Sequence, residues 1–270
     1  QLWLAGDEEN LDTYRSGEDP YLPPAARIFG CEVSEVCKDR RRVGKIAVLA
    51  CSYGGGRGAV SRFASSGVGV DPSRIVEGFR DAHPSLAGEA IPGRVWVPED
   101  DPDAPPVQCR RGGYWKALWF AWTKCAESAQ LGQPCRVPLP RGASYHTDGD
   151  GDVWLTLPSG RPVRYRGARR ETLPGESEPT WVVRSRGGSK KIWKGLLAEN
   201  ITQATCRDLL ADALLPVEAA GLRVLLHVHD ELVVEGYHLE TLMKLCRTAP
   251  VWASGLPLDC AGSEGTVWSR

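Results

Sequence analysis

Leu225-Leu226-His227-Val228-His229-Asp230-Glu231-Leu232-Val233-Val234-Glu235 is the stretch around which the chain is organised. Apolar, β-branched residues on both sides of an acidic pair predict two strands, with Asp230 and Glu231 near the bend between them. Carboxylates inside so apolar a run are costly to desolvate unless a metal or a partner compensates. Asp230 and Glu231 are therefore candidate metal ligands. The alternative is a hairpin whose polar tip simply faces water.

Upstream of this stretch the periodicity turns helical. From Trp193 to Leu210, Leu197, Ile201 and Leu209 mark an apolar side, while Asn200, Gln203 and Arg207 share another at i, i+3, i+7. Amides at that spacing can hydrogen-bond base or sugar edges, where a plain surface more often carries Lys or Glu. Far earlier, a helix is predicted from a cap at Asp39 through Arg40 to Tyr53, stopping at Gly54-Gly55-Gly56. Val43, Ile46, Ala47 and Ala50 form its core side. Arg41, Lys45, Leu49 and Tyr53 follow one another at i, i+4 and drift slowly around another face. Two cations a turn apart, then an aromatic, suit a phosphate with a base or sugar beyond it; a solvated basic face is the other reading. The triple glycine lacks a following Gly-Lys-Ser/Thr and is a helix stop, not a phosphate loop.

The remaining chain fills in around these segments. Residues 2–30 read as short helical pieces broken at Tyr14 to Pro20, and Pro72 to Ala82 as a helix. Pro98 to Pro106 is Pro- and acid-rich and reads as an exposed insertion. Tyr114 to Leu131 is an amphipathic helix with Trp115, Leu118, Trp119 and Trp122 on its core side. Between residues 136 and 186, Val153–Leu157, Pro158–Arg161 and Pro162–Arg166 predict strand, turn, strand, with a further strand at Trp181–Arg184. This segment is dense in arginine: Arg161, Arg164, Arg166, Arg169 and Arg170, then Arg184, Arg186, Lys190, Lys191 and Lys194. Such clusters fit either phosphate-backbone contact or a solvated surface.

With 42% hydrophobic and 25% charged residues, the 270-residue chain has the composition of a globular protein able to bury a full core. Its net charge of -1 supplies no global basic field, so any polyanion site must be local. No apolar run is long enough to span a bilayer, and no membrane partner is expected. The nine cysteines include no Cys-x-x-Cys, which argues against a structural zinc site and for reduced thiols inside a cell. The one methionine is Met243 and the chain opens inside an apolar segment, so residue 1 is expected not to be the natural start.

Three motifs fall in order along one known pattern. The helix Arg41-x-x-x-Lys45 followed by Tyr53-Gly54 resembles the nucleotide-binding finger helix (motif B) of family A DNA polymerases, the bacteriophage type in particular. Asn200-x-x-Gln203 with Arg207-Asp208 is similar to that family's primer-template helix, and Val228-His229-Asp230-Glu231 to motif C of the palm. Trp3 to Asp7, Gly17-Glu18-Asp19-Pro20-Tyr21, Leu157 to Arg161 and Gly255 to Leu258 agree, so the resemblance covers nearly the whole chain. It implies an α+β fold: a polymerase palm, with an antiparallel sheet and packed helices, plus mainly helical fingers carrying a β-rich insertion. The implied division is 1–11 as palm following motif A, 12–186 as fingers, and 187–270 as the C-terminal palm. It also implies DNA-directed addition of deoxynucleotides to a primer 3′ end, with deoxynucleoside triphosphates and primer-template DNA as partners.

Residue roles follow from the same resemblance. Asp230 would bind Mg²⁺, with Glu231 beside it; His229 would help to position the primer end. Arg41 and Lys45 would neutralise the triphosphate, Lys45 serving as acid for the leaving group. Leu49 would lie by the incoming sugar, where many bacterial members have an aromatic. Tyr53 would stack at the insertion position, and Asn200, Gln203 and Arg207 would hold the duplex. The motif A aspartate would fall before Gln1, so the chain alone is expected to be inactive and to need the N-terminal part of the same polymerase. A phage-encoded protein of the bacterial cytoplasm is implied. Two other classes compete: a catalytically incomplete DNA-binding fragment, and a zinc-dependent hydrolase using His227 and His229.

Overall fold

The structure, a computed structural model, describes residues 1–63, 69–96 and 107–267. The Pro- and acid-rich stretch from Pro98 to Pro106 lies outside the described residues. The chain opens on helices α1 (Leu2–Ala5), α2 (Glu8–Arg15), α3 (Leu22–Phe29), α4 (Lys38–Cys51), α5 (Arg57–Phe63), α6 (Pro72–Ala82) and α7 (Pro84–Ala87). Strands β1 (Glu89–Trp96) and β2 (Val107–Arg111) precede helix α8 (Tyr114–Gln130). A run of short strands follows: β3 (Cys135–Pro138), β4 (Ser144–Thr147), β5 (Val153–Thr156), β6 (Pro162–Tyr165), β7 (Arg169–Glu171), β8 (Thr180–Ser185) and β9 (Gly188–Lys191). Helix α9 (Lys194–Ala219), strands β10 (Val224–Val228) and β11 (Glu231–Val234), and helix α10 (Leu239–Cys246) complete the order.

This is a mixed α+β fold with antiparallel sheets and packed helices. Every strand pair is antiparallel and joins neighbours in sequence: β1-β2, β3-β4-β5-β6, β7-β8-β9 and β10-β11. The largest sheet lies in the insertion, not at the Asp230 hairpin, which has two strands. Sequence periodicity missed β2, β3, β4, β7 and β9, because three- to five-residue strands such as Arg169–Glu171 carry too few alternations to register, and it missed the eight-residue β1, whose Pro92-Gly93 and shifted register break the alternation. It placed β5, β6 and β8 correctly.

Helix α8 is the axis of the core. Its Leu118 and Trp122 are fully enclosed, Trp115 nearly so, and Trp119 packs against the same cluster. Trp122 meets Trp181 of β8 edge-on at 5.5 Å and Tyr165 of β6 at 6.1 Å, so both sheets of the insertion converge on one indole. The apolar alternation of β5 puts Val153 and Leu155 inward, completely buried, and Trp154 and Thr156 outward.

The predicted arginine surface is largely not free. Arg161 binds Asp208 of α9 at 2.5 Å, Arg164 pairs with Asp152, and Arg169 pairs with Glu171 at 2.5 Å. Arg170 lies over the Trp181 ring and Lys191 pairs with Glu176. These cations remain partly solvated, but they are paired with the fold's own carboxylates and an indole. Arg166, Arg184, Arg186 and Lys190 make no ion pair among the described residues.

Candidate functional site: the α4 stripe, α9 and the Asp230 hairpin

Helix α4 begins at Lys38 with Cys37 as its N-cap, in place of the expected Asp39 cap; Asp39 falls in the first turn, where a carboxylate favours the helix dipole. The core side is as read: Val43, Ala47 and Ala50 are buried. Lys45 and Leu49 of the stripe are exposed, whereas Arg41 is half-buried. The close approach that seats this helix needs a glycine, since a Cβ on Gly44 would lie 2.1 Å from the Tyr21 carbonyl oxygen. With Tyr21 so near, Arg41 sits 5.1 Å and Lys45 6.0 Å from its ring centroid. Arg41 also pairs with Asp19. Burial pushes the Asp19 carboxyl up, but the bond from Arg41, the Tyr21 N–H and the Arg41 charge outweigh it and hold the carboxyl low. Asp19 and Tyr21 were legible only as part of a quoted motif; that they anchor the cation stripe was not.

The end of α4 meets the start of α9. A Cβ on Gly195 would strike the Tyr53 carbonyl oxygen at 2.3 Å, and Gly54 lies against Trp115 and the Gly195 Cα. Glycine at 195 thus lets the Tyr53-Gly54 corner rest on the first turn of α9. Tyr53 is half-buried. Burial raises its phenol, and the nearby Cys206 and Glu199 of α9 raise it further.

Helix α9 runs well beyond the predicted Leu210, to Ala219, across Pro216 in its last turns. Of the expected duplex-facing trio, Asn200 Nδ2 donates to the Tyr165 hydroxyl at 3.1 Å and so braces β6. Gln203 is exposed and its Nε2 donates to Glu199 at 3.3 Å; Arg207 is exposed and makes no ion pair among the described residues. The trio is therefore divided, one member turned to the fold and two outward.

Strands β10 and β11 form the predicted hairpin, with Val228 opposite Glu231 and His227 opposite Leu232. The bend falls at His229-Asp230 and Glu231 opens the second strand, so the acidic pair lies near the bend as expected. His229 holds φ at 55°, uncommon for a residue with a Cβ. Asp230 and His229 are exposed and Glu231 half-buried, so the tip itself is wet and the expected desolvation cost does not fall on Asp230. Cys206 links the parts. Burial raises its thiol, the positive charge of the Gln1 amino group pulls it back, and the Asp230 carboxylate, within electrostatic reach, adds to the rise. Tyr53, Cys206 and Asp230, from three separate elements, thus share one neighbourhood. Cys206 was missed in the sequence because a lone cysteine between Gln203 and Arg207 carries no motif.

Among the described residues no group of three His, Cys, Asp or Glu side chains gathers to hold a metal. That removes the support for a zinc site built on His227 and His229, which needs three or four protein ligands. Mg²⁺ asks for less, one or two carboxylates with waters and substrate phosphates completing its shell, and Asp230 with Glu231 beside it meets that minimum. No helix among the described residues is long and apolar enough to cross a membrane.

No family model matches the chain. It is 27% identical over 277 residues to a DNA polymerase of Bacillus phage SP02, an alignment that spans 96% of this chain and 38% of that protein. Among solved structures it is similar to the POL domain of Pol1 from M. smegmatis in complex with DNA primer-template and dNTP, at TM-score 0.47 and 18% identity, covering 91% of this chain and 33% of that one. The chain thus aligns over nearly its whole length with a phage DNA polymerase and spans less than half of that protein.

Proposed function

We propose that the chain is the fingers and C-terminal palm of a DNA-directed DNA polymerase, with 1–11 and 187–270 as palm and 12–186 as fingers. The observation that carries this is the convergence of Tyr53, Cys206 and Asp230, which brings the end of the cation-bearing helix to the acidic hairpin across α9. Asp230, with Glu231 beside it, would hold Mg²⁺; a bound Mg²⁺ supplies neutralisation of the charge that develops on the transferred phosphate. Lys45, exposed on α4, binds the triphosphate and gives a proton to the leaving pyrophosphate. Arg41 is held by Asp19, so its contribution is a competition between the resident carboxylate and the incoming phosphate. Leu49 borders the sugar, Tyr53 stacks at the insertion position, and Gln203, Arg207 and the free edge of Asn200 track the duplex. His229, held at positive φ on the turn, positions the primer end.

Two-metal transfer calls for a second carboxylate opposite Asp230, and no cluster of three or more His, Cys, Asp or Glu side chains forms a metal site among the described residues. A polypeptide of these 270 residues alone is therefore expected to bind primer-template and to extend it poorly. Primer extension by the intact gene product and its Asp230→Asn variant tests the reading. A loss of at least a hundredfold in the variant is expected; undiminished extension would sink the assignment.

A further inference from the structure

The four-stranded sheet presents a second surface that the polymerase reading leaves unused. Arg136, His146, Trp154 and Arg164 stand in one cross-strand row, since Arg136 pairs with His146, His146 with Trp154 and Trp154 with Arg164. They lie on the face turned away from buried Tyr145 and Leu155. The row spans three strand spacings, about 14 Å. The Arg164 guanidinium stacks 5.0 Å from the Trp154 ring centroid. Burial and the charge of Arg136 lower the His146 imidazole, against the pull of Asp148.

At the β6 end the row opens into a cleft of about 390 Å³ lined by Asp150, Asp152, Arg164, Arg166, Gly167 and Arg184. Of its two acids, Asp152 is ion-paired, while Asp150 makes no ion pair among the described residues. Asp152 pairs with Arg164 and accepts the Gly167 N–H at 2.7 Å, and Asp150 accepts the Asp152 N–H at 3.1 Å. Arg166 and Arg184 have no carboxylate partner among the described residues. Residues 136–191 carry eleven Arg and Lys against six Asp and Glu, in a chain whose total is -1, so this segment is a local positive field.

We propose that this sheet face and cleft bind single-stranded nucleic acid, with Trp154 and Arg164 as the stacking platform and Arg166 and Arg184 as phosphate contacts. Aromatic rings and guanidinium planes interleaved with free cations match unpaired bases on a phosphate backbone. A duplex hides its base faces and gains only the phosphate contacts. An acidic peptide gains no stacking. The proposal does not depend on the Asp230 site.

The test is fluorescence anisotropy of labelled oligothymidylate with the full chain, without nucleotide or divalent cation, so that failure of the polymerase assignment leaves the result standing. Arg166→Ala/Arg184→Ala should weaken binding on the order of tenfold and flatten the slope of log K against log salt by about 1.4 for two lost contacts. Trp154→Ala should weaken it roughly tenfold with the salt slope retained, and Trp154→Phe should recover most of that. Unchanged affinity and slope in both variants would overturn the proposal. So would equally tight binding of polyglutamate, or variant effects of the same size on duplex DNA.

Discussion

The four-stranded sheet and the Asp230 hairpin are both antiparallel, both built from sequence neighbours, and both set beside α9, yet they are stabilised in opposite ways. The sheet is closed against α8, with Val153 and Leu155 fully buried, and is tied to α9 through Tyr165–Asn200 and Arg161–Asp208. The hairpin leaves Leu225 and Leu226 at 52% and 37% exposure, and the Arg223–Glu235 ion pair at its base is on the surface. A two-stranded hairpin is marginal in water on its own. The segment carrying the candidate chemistry is thus the less supported of the two, and the insertion is the better-built structure.

The largest expected effect comes from the sheet. Leu155→Ala removes a fully enclosed side chain between β5 and α8 and should cost about 3 kcal/mol, the middle of the range for such truncations. Chemical denaturation followed by tryptophan fluorescence reads it directly, because Trp122 and Trp181 lie in the same cluster. A cost below 1 kcal/mol would mean that the sheet is not packed as described.

Next in size is the tie between sheet and helix. Asp208 is buried on α9 and takes a bond from Arg161 at 2.5 Å and another from Ser159. Asp208→Ala strips both, leaving a guanidinium that is already 43% exposed and can rehydrate. Discounted for that screening, the loss is about 1.5 kcal/mol. Hydrogen exchange should show the 158–161 turn loosening while the hairpin is unchanged. Loosening of both together would mean that α9 transmits strain between them.

How much of this was legible in the sequence depends on whether local pattern or distant pairing decides. The α4 stripe, the α8 core side and the hairpin follow from periods of 3.6 and 2 within one segment, and those readings held. The Arg41–Asp19 pair, the Gly195–Tyr53 contact and the Arg161–Asp208 bond join residues 22, 142 and 47 positions apart. No local pattern encodes such pairings. The basic segment was visible as composition, but which arginines stay free depended on where Asp152, Glu171 and Asp208 arrive in space.

The smallest effect is expected at the hairpin, and it is the sharpest test of the contrast. Leu226 is chemically the same residue as Leu155 and sits in the same kind of strand, paired with Val233. At 37% exposure Leu226 is covered only in part and encloses no cavity, so Leu226→Ala should cost less than about 1 kcal/mol. The same denaturation assay measures both variants, so differences in unfolded-state behaviour largely cancel. A loss above 1 kcal/mol for Leu226→Ala would show that the hairpin face is covered in solution. The two β regions would then differ in what packs on them, not in whether they are packed.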